Sequence, residues 1–302
     1  MKRERKERAP ILEPGFWLDD DLRVIQHLGG SRKVDVYSCS SKRLDMLVSC
    51  KVLRPEYCID FSALDDIRIE GELLLRLHHP NVVEGYGMEL EEYPRIIMEH
   101  LQGVTVESAF LSGNFGAFDY LDAVDVALDV ARGLTHVHQQ GLLHLDVKPA
   151  NVMYHEGHAT LFDFSVAEEF SAGDTLRDDA GTTEYMAPEQ TAREEVGYYT
   201  DVFGLGVLFY RLLSGGAYPY PVMEVTKDTD DVGNSGGTKS RLDYGSLPVN
   251  PSVHNPNAPE ELGEIALRAV QVDKSLRFAT PEEFSAALEK ALKAVGGWSP
   301  GP

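Results

Sequence analysis

The sequence predicts an α+β chain of two lobes, a small strand-rich one followed by a larger helical one. Three observations carry that expectation. The chain has 302 residues, enough for two units at roughly 150 residues each. From Leu22 to Met98 the residues favour strands around a single helical segment, and after Leu101 long helical patterns take over. The composition, 43% apolar and 25% charged, is that of a globular protein with a sizeable core.

The chain opens on a basic run, Lys2 to Arg8, with five basic and two acidic side chains. A solvated, disordered leader over 1–21 is expected, with a nucleic-acid tether as the alternative. The run leads into Ala9-Pro10 rather than an apolar segment, so no signal peptide is expected. Val34, Val36, the run Leu47 to Val52, and Ile96-Ile97-Met98 read as strands. Between Ser62 and His78, Leu64, Ile67, Leu74 and Leu77 recur at intervals that give a helix one buried face. The first lobe is placed at 22–98, a connecting hinge at 99–101, the second lobe at 102–295 and a tail at 296–302. In the second lobe Leu121, Val124, Leu128, Ala131 and Leu134 mark a long helix ending near Gly141. Thr280-Pro281-Glu282-Glu283 opens another, a capping box with proline at the first helical position. Thr226 to Asn257 is rich in Gly, Asp, Ser, Asn and Pro, shows no period, and reads as loop.

The formal charge of −21 argues against nucleic acid as a partner, because phosphates are repelled. The densest apolar run, Val202 to Leu213, contains Arg211 and falls short of the ~18 residues a membrane span needs, so none is expected. Cys39, Cys50 and Cys58 are odd in number and lack a C-x-x-C spacing. Neither a disulfide framework nor a zinc site is indicated, and a reduced, cytoplasmic protein is expected.

The chemistry concentrates in His144-Leu145-Asp146-Val147-Lys148-Pro149-Ala150-Asn151, which sets a carboxylate, an ammonium and a carboxamide on one loop. Asp163-Phe164-Ser165 follows, then Ala187-Pro188-Glu189; upstream, Lys51 closes Val48-Ser49-Cys50-Lys51. In this order and at this spacing the four pieces resemble the protein kinase family, over nearly the whole chain from about Leu22 to Leu292. The resemblance implies a bilobal protein-kinase-like fold, ATP and Mg²⁺ as cofactors, and transfer of the γ-phosphate to a protein substrate bearing Ser or Thr.

It also implies roles. Asp146 positions the attacking hydroxyl and accepts its proton, while Lys148 offsets charge on the transferring group. Asn151 and Asp163 supply oxygen ligands to Mg²⁺, a hard cation. Lys51 reaches the α- and β-phosphates and pairs with Glu70, whose place is counted back from His79-Pro80-Asn81. A surface glutamate is the plain alternative for Glu70, and Glu72 illustrates it. Met98 is the gatekeeper, and backbone groups of Glu99 and Leu101 bond the adenine edge. Val36 and Ser49 cover one face of the ring and Met153 the other, with Leu28 and Gly29 completing the nucleotide-binding set. The apolar positions among these are equally explained as core. Asp201 holds the backbone of the catalytic loop, Arg277 pairs with Glu189, and Thr182 contacts Asp146 and Lys148. Lys148, two residues after the aspartate, marks Ser/Thr-specific members of the family.

Three departures from the family pattern stand out. The glycine-rich G-x-G-x-x-G loop here runs Gly29-Gly30-Ser31-Arg32-Lys33-Val34, so Arg32 or Lys33 is left to contact phosphates through side chains. Leu145 replaces the arginine before the catalytic aspartate, which implies activity without phosphorylation of the activation segment. Ser165 replaces the glycine of D-F-G and biases one state of that loop. Two rival readings stay open. One is a pseudokinase acting as a nucleotide-binding or protein-interaction scaffold. The other is a small-molecule phosphotransferase of kinase-like fold, which the Thr182 to Glu189 segment speaks against. The sequence carries no sign of oligomeric state or physiological substrate.

Overall fold

The computed structural model describes residues 9–112, 119–171, 173, 175, 181–226 and 238–294. They form two compact units that divide after Gln102.

In the first unit, Leu22–Gly30 (β1), Val34–Ser41 (β2), Met46–Leu53 (β3), Gly85–Glu89 (β4) and Arg95–Glu99 (β5) build one antiparallel sheet in the order β1-β2-β3-β5-β4. One face buries Val24, Tyr37, Cys39, Val48, Cys50, Val52 and Ile97 in a single cluster. The β-branched residues supply the stiffness a pleated surface favours. A turn of 3-10 helix, Pro55–Tyr57, leads into the helix Phe61–Leu74 (α1). Asp60 caps α1 by accepting from the Ala63 amide. The helix ends one turn before the expected His78. Arg76 and Leu77 close tighter bonds to Leu73 and Leu74 as the chain approaches Pro80. Leu77 is nonetheless buried, whereas Leu64 is only half-buried.

The expectation of a disordered leader over 1–21 is corrected from Ala9 onward; residues 1–8 lie outside the described residues. Once the charge run stops at Arg8, apolar side chains dock the chain on the sheet. Leu18 is buried in the cluster, Leu12 packs against it, and Gly15 and Leu18 donate backbone hydrogen bonds to Val24 and Leu22. Asp19 forms an ion pair with the buried Arg95.

The second unit comprises Val104–Thr105 (β6), Val106–Leu111 (α2), Tyr120–Gln139 (α3), Leu142–Leu143 (β7), Val152–His155 (β8), His158–Leu161 (β9), Glu168–Glu169 (β10), Pro188–Ala192 (α4), Tyr198–Ser214 (α5), Val222–Thr226 (β11), Thr238–Leu242 (β12), Glu260–Ala269 (α6) and Pro281–Ala294 (α7). Helix α5 is buried from Thr200 to Ser214 and packs against α3, α6 and α7. A helix that is predominantly apolar around its whole circumference belongs inside a core, and that is where it lies, with Asp201 and Arg211 buried among the apolar side chains. Gly204 of α5 allows the backbone of Val147 to come close, since an added Cβ would sit 3.0 Å from the Val147 carbonyl oxygen. Helix α3 starts at a capping box between Asp119 and Asp122 and buries Val124, Leu128, Ala131 and Leu134. Strands β6, β8 and β9 form a small sheet, and β7 pairs with β10.

The loop expected over Thr226 to Asn257 is corrected in part. Its first residue closes β11, and Thr238–Leu242 forms the partner strand of an antiparallel hairpin. Pro251–Val253 adds a turn of 3-10 helix, while residues 227–237 lie outside the described set. The tail call at 296–302 also falls outside it. Among the described residues no helix is long and apolar enough to cross a membrane.

Candidate active site

In the first unit, β3 carries Lys51 and α1 carries Glu70. Lys51 Nζ donates to Glu70 Oε1 at 2.7 Å, and both side chains are buried. Glu72 faces away and accepts instead from Arg68 on the exposed face of α1. The helical turn therefore separates the two glutamates by 200° and assigns them different work. Met98 stands opposite Ser49 across β3 and β5, and the same register sets Val36 opposite both Lys51 and Gly29. Glu99 ends β5 with its amide bonded to the Glu84 carbonyl at 2.9 Å. His100, which the sequence did not single out, meets the Ser49 hydroxyl through Nδ1 at 3.2 Å. Leu101 is half-buried and Leu28 is exposed on β1.

The β1–β2 turn closes through a hydrogen bond from the Ser31 amide to the Val34 carbonyl, 2.8 Å. Arg32 Nε donates to the Tyr57 hydroxyl at 3.0 Å, and Lys33 Nζ to Asp66 Oδ2 at 2.6 Å. The next residue pair is a surprise of register. Alternation in Val34-Asp35-Val36-Tyr37 turns Asp35 and Tyr37, not the valines, to the more buried face. Asp35 Oδ1 accepts from Arg54 Nη2 at 2.9 Å and meets His27 Nε2 at 3.0 Å. Gly30 lies against this carboxylate; a Cβ there would fall 2.5 Å from Asp35 Oδ1.

In the second unit, α3 and β7 deliver the chain into the loop that begins at His144. Asp201, buried at the start of α5, accepts from the amides of His144 and Leu145 at 2.8 and 2.7 Å. His138 Nε2 reaches the same carboxylate at 2.8 Å, and its ring stacks on Tyr198. Burial by itself pushes the Asp201 carboxyl up, but the bonds from His138 and the His144 amide hold it below the usual value. Burial pushes the His144 imidazole down, against the opposing pull of Asp201, Asp146 and Asp163. Its ring meets Phe164 edge-on at 4.8 Å.

Asp146 is the centre of the loop. Its Oδ1 accepts from the Thr182 amide at 2.8 Å; its Oδ2 accepts from Lys148 Nζ at 2.5 Å and Asn151 Nδ2 at 3.1 Å. Lys148 Nζ also donates to Thr182 Oγ1 at 2.6 Å. Asn151 Nδ2 makes a second bond to the Asp146 carbonyl, 3.0 Å, which commits its amide nitrogen inward and leaves its oxygen as the outward donor atom. Asp163 and Leu145 both hold left-handed backbone at φ 65°, a conformation that costs a side-chain-bearing residue energy unless its surroundings fix it. For Leu145 they do: its carbonyl accepts from Gln190 Nε2 at 3.0 Å, and its side chain is 3% exposed among Leu143, Val196, Val166, Phe170 and Tyr198. Gln190, Leu145 as a packing group, and the Asp35–Arg54 pair are missed by sequence reasoning. Motif spacing gives no sign of any of them.

Glu189 and Arg277 form a bidentate, buried pair at 2.7 and 2.8 Å. Met153 lies half-buried on β8 opposite Thr105 and Thr160. The structure thus gathers Lys51 with Glu70 in one unit, and Asp146, Lys148, Asn151 and Thr182 in the other. Leu28, Gly29, Val36 and Met153 are strand positions whose surroundings alone do not distinguish them. Among the described residues no group of three or more His, Cys, Asp or Glu side chains could hold a metal. The Asn151 and Asp163 oxygens nevertheless suit Mg²⁺, which takes one or two protein ligands and completes its shell with phosphate and water.

A sequence profile described as the protein kinase domain matches residues 22–286. The chain belongs to this family. Relatives of the family include the serine/threonine-protein kinase PrkC of Bacillus subtilis, 25% identical over 90% of this chain and 40% of its own length. The serine/threonine-protein kinase PknB of Mycolicibacterium smegmatis is 28% identical over 90% of this chain and 43% of its own. The chain spans about two-fifths of the length of these relatives. Among solved structures, the PknI kinase domain of Mycobacterium tuberculosis superposes with a TM-score of 0.69 at 24% identity, covering 93% of this chain and 100% of that one. This kinase fold has a sheet-based first unit and a helical second one.

Proposed function

We propose that the chain is an ATP-dependent serine/threonine protein kinase whose activity does not require phosphorylation of its activation segment. The observation that carries the reading is the arrangement around Asp146, a carboxylate oriented by Lys148, Asn151 and Thr182 on a loop pinned to Asp201. A substrate hydroxyl oxygen attacks the γ-phosphorus, the bond from that phosphorus to the β–γ bridging oxygen breaks, and the electron pair leaves with ADP. The hydroxyl proton passes to Asp146, so charge and atoms balance. Lys148 stands between Asp146 and Thr182, where its ammonium offsets charge on the group in transfer. Lys51, oriented by Glu70, holds the non-transferred phosphates. Mg²⁺, when bound, neutralises phosphate charge; Asn151 and Asp163 are the side chains that would hold it. Glu99 and Leu101 offer backbone groups to the adenine edge, with Met98 as gatekeeper and Leu28, Gly29, Val36, Ser49 and Met153 around the ring.

Ser/Thr preference is supported by Lys148 with its Thr182 bond, and by the names of the relatives. Independence from phosphorylation is supported by Leu145, which fills an apolar cluster with Phe170 and Val196 where the family's arginine would await a phosphate. A second reading, a nucleotide-binding scaffold, is favoured by Ser31 and Val34 in a turn that glycines usually form. Incubation with γ-labelled ATP, Mg²⁺ and a mixed protein substrate separates the two. Label on serine and threonine supports the kinase reading, and ATP binding without transfer supports the scaffold.

A further inference from the structure

Helix α1 receives cations from the sheet at two levels. Lys51 of β3 meets Glu70, and one helical turn earlier Lys33 of the β1–β2 turn meets Asp66. Residues four apart share a helix face, so the two carboxylates form successive rungs. A third cation, Arg32, bonds the Tyr57 hydroxyl just ahead of the same helix. The β2–β3 register explains the grouping: Val36 pairs with Lys51 and Val34 with Leu53, so the turn emerges two residues beyond the neighbour of Lys51. Arg32, Lys33 and Lys51 therefore gather at one corner of the first unit, and all three are held from the α1 side.

The rungs differ in kind. The Lys51–Glu70 pair is buried, whereas Lys33 and Asp66 are 43% and 53% exposed. An exposed ion pair in water is weak and exchanges readily for a stronger anion. Below the tip, the turn is anchored by the buried Arg54–Asp35 pair, with His27 on the same oxygen and Gly30 packed against it. The base of the turn is fixed and its cationic tip is exchangeable.

We propose that Arg32 and Lys33 are phosphate-binding side chains that rest on Tyr57 and Asp66 and transfer to the nucleotide triphosphate when it binds. This rests on the kinase reading above and deepens it: the phosphate contacts that a glycine-rich backbone would make are taken over by two side-chain cations. Asp66 is then a competitor of the triphosphate, and its removal strengthens nucleotide binding.

The test compares ATP with adenosine, which lacks phosphates, by calorimetric titration of the whole chain with Mg²⁺ present. Asp66→Asn is expected to tighten ATP about threefold, the strength of one exposed pair, and to leave adenosine unchanged. Arg32→Ala with Lys33→Ala is expected to weaken ATP about tenfold or more, as loss of charge-assisted hydrogen bonds does, again with adenosine unchanged. Circular dichroism and the adenosine affinity together report whether each variant is folded. If ATP binds to the wild type but both variants leave its affinity unchanged, or shift ATP and adenosine alike, the inference fails alone. If the wild type binds no ATP at all, the kinase reading fails and takes this inference with it.

Discussion

Asp146 accepts three hydrogen bonds from groups that hold it in place, and Asp201 fixes the backbone that carries it. Asp146→Asn keeps the shape and loses the base. Phosphate transfer is expected to fall at least a hundredfold, within the range of ~10²–10⁴ that general bases contribute, with ATP affinity within a few-fold. Turnover above about a tenth of wild type would refute the assignment. At Arg277 the consequence is stability rather than rate. Its guanidinium also bonds the carbonyls of Gln271, Tyr199 and Val272, so Arg277→Met strands three carbonyls and a buried carboxylate. A loss of about 3–5 kcal/mol is expected in urea unfolding. These residues were legible because motif order and spacing place them without any knowledge of packing. Asp35 was not. Nothing in Val34-Asp35-Val36 says which face is buried, and the choice is made by Arg54, a partner on another strand's end that supplies the countercharge.

At the scale of elements, an apolar period carried α3 into the sequence reading, since a 3.6-residue stripe needs no partner to be seen, and a capping box with proline at the first helical position carried α7. The β11–β12 hairpin escaped it for the opposite reason. Thr238-Lys239-Ser240-Arg241-Leu242 is polar in four of five positions, and only its pairing with β11 makes it a strand. The described residues of the activation segment pose the same problem, because they are held by contacts far along the chain. Leu145, Phe170 and Val196 join in one apolar cluster, Phe170 donates its amide to the Gly141 carbonyl, and Thr175 bridges Glu195. On the reading proposed above, this packing of Leu145 takes the place of an arginine that waits for a phosphate. Replacing Ser171, Thr175 and Thr183 by alanine together is therefore expected to leave turnover within about threefold, since surface changes outside the packed cluster cost little. Turnover is measured on protein of known phosphorylation state, and Thr182 is spared because it touches Asp146 and Lys148. A tenfold loss restored by acidic replacements would overturn the expectation. Conversely, Leu145→Asp places a charge within that cluster and is expected to destabilise the segment by several kcal/mol, read as early proteolysis between α3 and α4.

For the whole molecule, the two titrating groups at the centre of the helical unit pull stability in one direction. The His144 imidazole is held below its ordinary value by burial, so the folded chain takes up a proton there less readily than the unfolded chain. The unfolded state then binds more protons wherever pH lies below the ordinary histidine value of about 6.5, and stability declines from there as pH falls. Asp201, also depressed, adds its loss only below about pH 4, where an unfolded aspartate protonates. The histidine loss begins near pH 6.5 and the aspartate loss only near pH 4, so between those two onsets the histidine contribution is read by itself. The Asp146 amide donates to His144 Nδ1 at 3.3 Å, an interaction that a protonated ring cannot accept, so acid also attacks the loop that carries Asp146. Urea unfolding at pH 7.5, 6.5 and 5.5 is expected to show a falling free energy in wild type. His144→Gln, which keeps an acceptor and removes the titration, is expected to start less stable and to show a flatter slope over the same interval. The chain has ten histidines, and the difference between the two slopes isolates the contribution of this one. Parallel slopes would mean that the buried ring is not the source of the acid sensitivity.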